Sequence, residues 1–245
     1  PARTYDLDLA TGERTLRKEQ EVPSGHNPAD YETRRIFADT ADGERVPITL
    51  LYRKGLKLDG TAPCLLYGYG SYEVCLDPDW DFERPLPSLL DRGVVYALGH
   101  PRGGGEMGRR WWEDGHLAAK QNTFTDFGAV AAYLRDGVVS SVVTRGLSAG
   151  GLLQGAMYAQ FPRLFAGVVA EVPFVDVVTS MLDASLPLTA QEWLEWGDPR
   201  QPDQCAWLAA YAPMGNLPSV ADRPPLLVTG AVHDPRVLVR EPARW

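Results

Sequence analysis

Residues 146–150 read Gly-Leu-Ser-Ala-Gly. A serine between two glycines, after the apolar run Val142-Val143 and before a helix-like stretch, fits a tight strand-to-helix turn that lifts a hydroxyl clear of the backbone. Ser148 would then be an acyl-transfer nucleophile. The N–H of Ala149, at a helix start, would face the developing oxyanion. Such an attack needs a base and a carboxylate to orient it. Asp234, in "AVHDPRV", follows the apolar run "PPLLVTG" and stands where a late strand would put that carboxylate. Its other reading is an Asx turn ahead of Pro235. Serine before aspartate is the α/β-hydrolase order, in which the histidine comes last. Of the four histidines, His26, His100 and His116 precede the serine, and His233 adjoins Asp234, where neighbouring side chains diverge. The expectation is that none of them serves Ser148 and that the base lies outside these residues.

A second motif competes for attention. Gly103, Gly105 and Gly108 spell G-x-G-x-x-G after a strand-like run, as in dinucleotide-binding proteins. Glu106 would face the pyrophosphate, and Asp126 falls at a helix start rather than a strand end. No cofactor is expected.

The elements that must position these residues alternate. "TYDLDLATGERTL" (4–16) reads as a β-hairpin turning at Thr11-Gly12, and a lone hairpin needs a sheet to join. "EVPSGHNPAD" is linker-like, and a second hairpin turns at Asp42-Gly43. Short apolar strands follow at "APCLLYGYG", "RGVVYALGHPRGGG", "SVVTRGLS", "FAGVVAEVPF" and "PPLLVTGAV". Phe124, Phe127, Ala131 and Leu134 recur at helical spacing up to a glycine stop, and "AGGLLQGAMYAQF" reads as a helix ended near Pro162. Apolar strands alternating with helices predict an α/β fold, a mostly parallel sheet with helices on both faces. Ligands then bind at the carboxyl ends of the strands. The expected division is 1–30 as the end of another β domain plus linker, and 31–245 as the α/β domain.

The chain has 245 residues and a net charge of −8. That acidity disfavours nucleic acid, and no apolar run reaches the ~18 residues of a membrane span. Cys64, Cys75 and Cys205 lack metal-ligand spacing and read as thiols in a reducing compartment, hence the cytoplasm. A periplasmic location would need an upstream signal.

The runs "LLYGYGSY", "HPRGGGEMG", "KQNTFTDF", "GLSAGGLL", "VPFVDVVTSMLDASLPLT", "EWLEWGDP" and "HDPRV" resemble the catalytic domain of the prolyl oligopeptidase family of serine peptidases, in particular its oligopeptidase B branch. The resemblance implies an α/β-hydrolase domain, C-terminally incomplete, with the first hairpin as the remnant of a β-propeller otherwise missing here. It implies Ser148 as nucleophile, Asp234 as triad acid, and Tyr69 joining the Ala149 N–H as oxyanion donor. Arg236 matches an arginine that holds a substrate carbonyl. Cleavage of short basic peptides after Arg or Lys would use Glu192 in the primary pocket, with Asp77 and Asp79 for a second basic residue. Leu147 stands where many relatives have glycine and is expected to crowd the turn. Leu194 stands where a second glutamate is often found, and Glu195 is expected to point elsewhere. The same scaffold also carries carboxylesterases and acylaminoacyl-peptidases, and a non-catalytic peptide-binding or truncated hydrolase-like domain is the remaining alternative.

Overall fold

A computed structural model describes residues 2–21, 25, 27–76 and 86–245. Strands β1 (Arg3–Leu7) and β2 (Arg14–Glu19) form the expected hairpin, with Gly12 at a positive φ in the turn. It is a two-stranded sheet of its own, and every residue of both strands is exposed.

The second hairpin pairs β3 (Tyr31–Asp39) with β4 (Arg45–Arg53) around Gly43. It does not stand apart, because β4 lies antiparallel against β6 (Val95–Gly99). The other strands are β5 (Pro63–Tyr67), β7 (Ser141–Leu147), β8 (Gly167–Glu171) and β9 (Leu226–Thr229). The seven-stranded sheet runs β3-β4-β6-β5-β7-β8-β9, and the last five strands are parallel. The helices are α1 (Leu86–Leu90), α2 (Arg109–Glu113), α3 (Gln121–Arg135), α4 (Ala149–Gln160), α5 (Val177–Leu182), α6 (Thr189–Trp196), α7 (Pro202–Tyr211) and α8 (Arg240–Arg244).

Side-chain alternation along the strands builds two cores. Ile48, Leu50, Cys64, Leu66, Val95 and Ala97 point to the larger one, which Phe124, Phe127 and Leu134 of α3 and Leu152 and Ala156 of α4 complete. Leu51, Leu65, Tyr67, Tyr96 and Leu98 point the other way, against Leu86 and Leu90 of α1. Helices therefore lie on both faces, as the apolar strands required. The covering is uneven. At the β9 edge Leu226 and Leu227 are exposed.

One buried ion pair ties these layers together. Arg102, after β6, donates from Nη2 and Nε to Asp126 of α3 at 2.6 and 2.8 Å, and from Nη1 to Asp42 at 2.7 Å. The glycine run beside it does structural work: a Cβ on Gly103 would stand 2.2 Å from the Gly70 carbonyl oxygen.

Candidate active site

Parallel strands bring their following loops to one end of the sheet. Four of them meet there: Gly68–Val74 after β5, Ser148 after β7, Val172–Phe174 after β8 and Gly230–Val239 after β9.

Ser148 joins β7 directly to α4, with φ 59° and ψ −114°. A non-glycine residue there costs about 1–3 kcal/mol and persists only where neighbours hold it. They do so: the Ser148 N–H donates to the Glu171 carbonyl at 2.9 Å, and the Ser148 carbonyl accepts from Leu152 and Phe174 N–H at 3.1 and 3.2 Å. The flanking glycines are demanded by space. A Cβ on Gly146 would meet the Gly150 carbonyl oxygen at 2.2 Å, and one on Gly150 would meet the Gly68 carbonyl oxygen at 2.8 Å and the Tyr69 ring at 3.2 Å. Leu147 is exposed. Ala149 is the first residue of α4 and its N–H has no intrahelical acceptor.

The Gly150 contact seats Tyr69 beside the elbow. Burial, and then the carboxylates of Glu192 and Glu195, push its phenol up to about 12, with Arg236 opposing. The hydroxyl stays protonated and remains a donor. Asp234 forms an Asx turn, its Oδ1 accepting from Arg236 and Val237 N–H at 2.8 and 3.0 Å. The Asx-turn reading of this residue is the one observed. The turn sets the loop, and the loop walls the serine's cavity through Pro235, Arg236 and Val237.

That cavity holds about 210 Å³ and opens onto Ser148 and Ala149, with Glu192 on its wall. Glu192 Oε2 accepts from the Tyr72 hydroxyl at 2.6 Å and from Trp196 Nε1 at 2.9 Å. Burial and the adjacent Glu192 carboxylate push the Tyr72 phenol up. Glu195 lies one turn along α6. It is buried and accepts from the Tyr72 N–H at 2.9 Å and Trp112 Nε1 at 2.8 Å. As expected it points away from the serine's cavity, and it braces the loop carrying Tyr69 and Tyr72. Leu194 is 80 % exposed, on the opposite side of the helix from Glu192. Asp77 and Asp79 lie outside the described residues.

Sequence reasoning missed Tyr72, Trp196 and Glu241. Trp196, four residues after Glu192 on a helix, had a signal in its spacing. Glu241 is buried at the cavity and accepts from Val175 and Asp176 N–H, each at 2.9 Å, and from Ser180 Oγ at 2.5 Å. Burial raises its carboxyl, with those bonds opposing.

Two of the histidines have other partners. Buried His100 places Nε2 2.9 Å from Thr49 Oγ1 and Nδ1 3.1 Å from Glu106 Oε1. His116 stacks on Trp112, with Nδ1 3.0 Å from the Glu113 carbonyl oxygen. His233 is exposed, and His26 lies outside the described residues. Among the described residues, no group of side chains could hold a metal ion and no helix is long and apolar enough to cross a membrane.

The sheet order and the strained serine between β7 and α4 define an α/β-hydrolase domain. The sequence profile of the prolyl oligopeptidase family matches residues 80–245. The chain belongs to that family. It is 45% identical over 249 residues to dipeptidyl aminopeptidase BI of Pseudoxanthomonas mexicana, covering 100% of this chain and 34% of that protein. It is 44% identical over 248 residues to protease 2 of Moraxella lacunata, covering 100% and 36%. Among solved structures, oligopeptidase B from Trypanosoma brucei with covalently bound antipain superposes with a TM-score of 0.91 and 43% identity over 98% of this chain and 34% of that one. The chain thus spans about a third of the length of these relatives.

Proposed function

We propose that this chain is the catalytic domain of a serine peptidase that cleaves short peptides after Arg or Lys through an acyl-enzyme. The observation that carries the reading is the shared cavity: the Ser148 turn opens into it and the Glu192 carboxylate lies on its wall. Ser148 attacks the scissile carbonyl, and Tyr69 and the Ala149 N–H bind the oxyanion, each donor contributing on the order of 10²–10³ in rate. Asp234 orients the imidazole that takes the serine proton. His100 and His116 are engaged elsewhere and His233 adjoins Asp234, which supports reading that imidazole as supplied from outside these 245 residues. Glu192 receives the substrate's cation. Its Oε2 is already fixed by two donors, which aims the carboxylate before substrate arrives. Arg suits such a site because its planar fork can bond bidentately. Arg236, on the cavity wall, is read as the holder of a substrate carbonyl, and Asp77 and Asp79, outside the described residues, are read from the resemblance as the partners of a second basic side chain. The isolated sheet of β1 and β2 supports reading residues 1–30 as the end of a propeller and a linker, and 31–245 as the catalytic domain. A cytoplasmic location rests on the cysteine pattern, with no disulfide among the described residues.

The test compares the intact polypeptide with these 245 residues on an arginyl chromogenic amide. The intact protein should turn over and Ser148→Ala should abolish it, while the 245 residues alone retain at most the residual ~10³–10⁴ over water that remains without a triad member. Robust turnover by the 245 residues that Ser148→Ala removes would show that one of the chain's own histidines works. Preference for neutral p-nitrophenyl esters over arginyl amides would favour a carboxylesterase.

A further inference from the structure

Behind the wall that carries Tyr69 lies a lysine the mechanism above does not use. Lys120, immediately before α3, is 1 % exposed. Its Nζ donates to the Gly70 carbonyl at 2.6 Å and to Ser71 Oγ at 2.9 Å. It also sits 5.0 Å from the centroid of the Trp196 ring and 6.0 Å from that of Phe124. Among the described residues no carboxylate forms an ion pair with it. Glu195 acts only from a distance, its oxygens being taken by Tyr72 and Trp112. An ammonium removed from water without a counter-ion is strongly unfavourable, and an aliphatic chain would fill the same volume without that penalty.

What the ammonium touches gives it a purpose. Gly70 and Ser71 lie between Tyr69, beside the elbow, and Tyr72, which bonds Glu192. Trp196 is the second donor to Glu192. The loop is strained, with φ of 59° at both Tyr72 and Glu73. Such a loop needs its neighbours to hold it. Within the peptidase reading given above, we propose that Lys120 is a positioning residue. Its ammonium clamps the Tyr69–Tyr72 loop to α6, and so fixes the oxyanion donor relative to the carboxylate that receives the substrate's cation.

The clamp is sensitive to mild alkali. Burial pulls the Lys120 ammonium down to about 8, with Glu195 opposing. The titratable groups around it are Glu195 and Glu192 on α6, Tyr72 in the loop, and Tyr211 on α7, whose ring packs on Phe124. Burial pushes both phenols up, so they stay neutral while Lys120 loses its proton.

The test uses the intact polypeptide with an arginyl amide substrate and titrated active sites. Lys120→Met should lower kcat by about 100-fold, the loss expected for one oxyanion donor, with KM within about threefold. Wild-type kcat should fall as Lys120 deprotonates, followed by NMR of 13Cε-lysine, and the Met variant should lack that limb. A merely structural role would lower the melting temperature and leave the kcat of folded enzyme and its pH profile alone. If the variant does not fold, the wild-type profile decides: kcat constant through the Lys120 titration overturns the clamp, as does a folded Met variant with wild-type kcat. A wild type that neither turns over nor labels with a fluorophosphonate at any pH removes the peptidase reading and the clamp with it.

Discussion

Adding one methyl group at Gly150 tests whether Tyr69 acts from where it sits. The new carbon would stand 2.8 Å from the Gly68 carbonyl oxygen and 3.2 Å from Tyr69 Cδ2. Comfortable contact needs roughly 0.5 Å more from the carbonyl. Gly68 directly precedes Tyr69, so that retreat carries the phenol away from the elbow. A misplacement of ~1 Å costs about 100-fold, so half of it gives a loss of about 10-fold in kcat. Overpacking costs about 1–3 kcal/mol, of which alanine's better helix propensity returns up to ~1. The net cost is then about 0–3 kcal/mol, so at ~2–4 °C per kcal/mol for a domain of this size the melting temperature falls by no more than about 12 °C, leaving the protein folded at room temperature. Gly155→Ala is the control. It lies on the same helix, and its Cβ would meet Pro213 Cγ at 2.5 Å, away from the serine. It should lose stability and keep kcat. The assay is single-turnover acylation of the intact protein by an arginyl ester, with thermal melts alongside. Gly150→Ala within twofold of wild type, or Gly155→Ala losing as much rate, would refute the placement of Tyr69.

Three further outcomes follow from the same geometry. Glu192→Gln should keep the bonds from Tyr72 and Trp196 but lose the charge, raising KM for arginyl substrates about 10-fold or more and leaving neutral ones within twofold, as steady-state kinetics will read. Asp126→Asn leaves the buried Arg102 guanidinium with only Asp42 as a charged partner, so denaturant unfolding should show a loss of about 3–5 kcal/mol. Because Lys120 keeps its proton to about 10.5 when unfolded but only to about 8 when folded, the unfolded chain binds the extra proton between those values. Stability should therefore rise with pH there relative to Lys120→Met, by up to about 3 kcal/mol in urea titrations at stepped pH.

What could be read from the chain alone was what short-range physics decides. Phe124, Phe127, Ala131 and Leu134 predict α3 because one face of one helix must be apolar, and all four are buried. The Ser148 turn was legible for a similar reason: strand, crowding and helix start all lie within a few residues. The cavity wall was not. Tyr72 and Glu192 meet across 120 residues, through a loop and a helix that have no shared sequence pattern. Glu195 does turn away from the serine's cavity, as adjacency to Glu192 suggested, but that the helical repeat brings it under Tyr72 was not legible. The helices α5, α6 and α7 run only six to ten residues, too short for an apolar period to stand out in the sequence.

The groups proposed to break the bond and those proposed to choose the substrate hang from different parts of the framework. Ser148 and Ala149 follow β7 directly, and Asp234 sits in the loop after β9, so all three hang from the strand ladder. Glu192, Trp196 and their neighbours ride on α5 and α6, between β8 and α7, outside the ladder. Residues 177–196 can therefore drift without disturbing the strand ladder, provided that Glu195 and Trp196, which brace the Tyr69–Tyr72 loop, are kept. Selectivity in this architecture is in part replaceable, and a chimera at those two boundaries that retains this pair is the natural way to retune it.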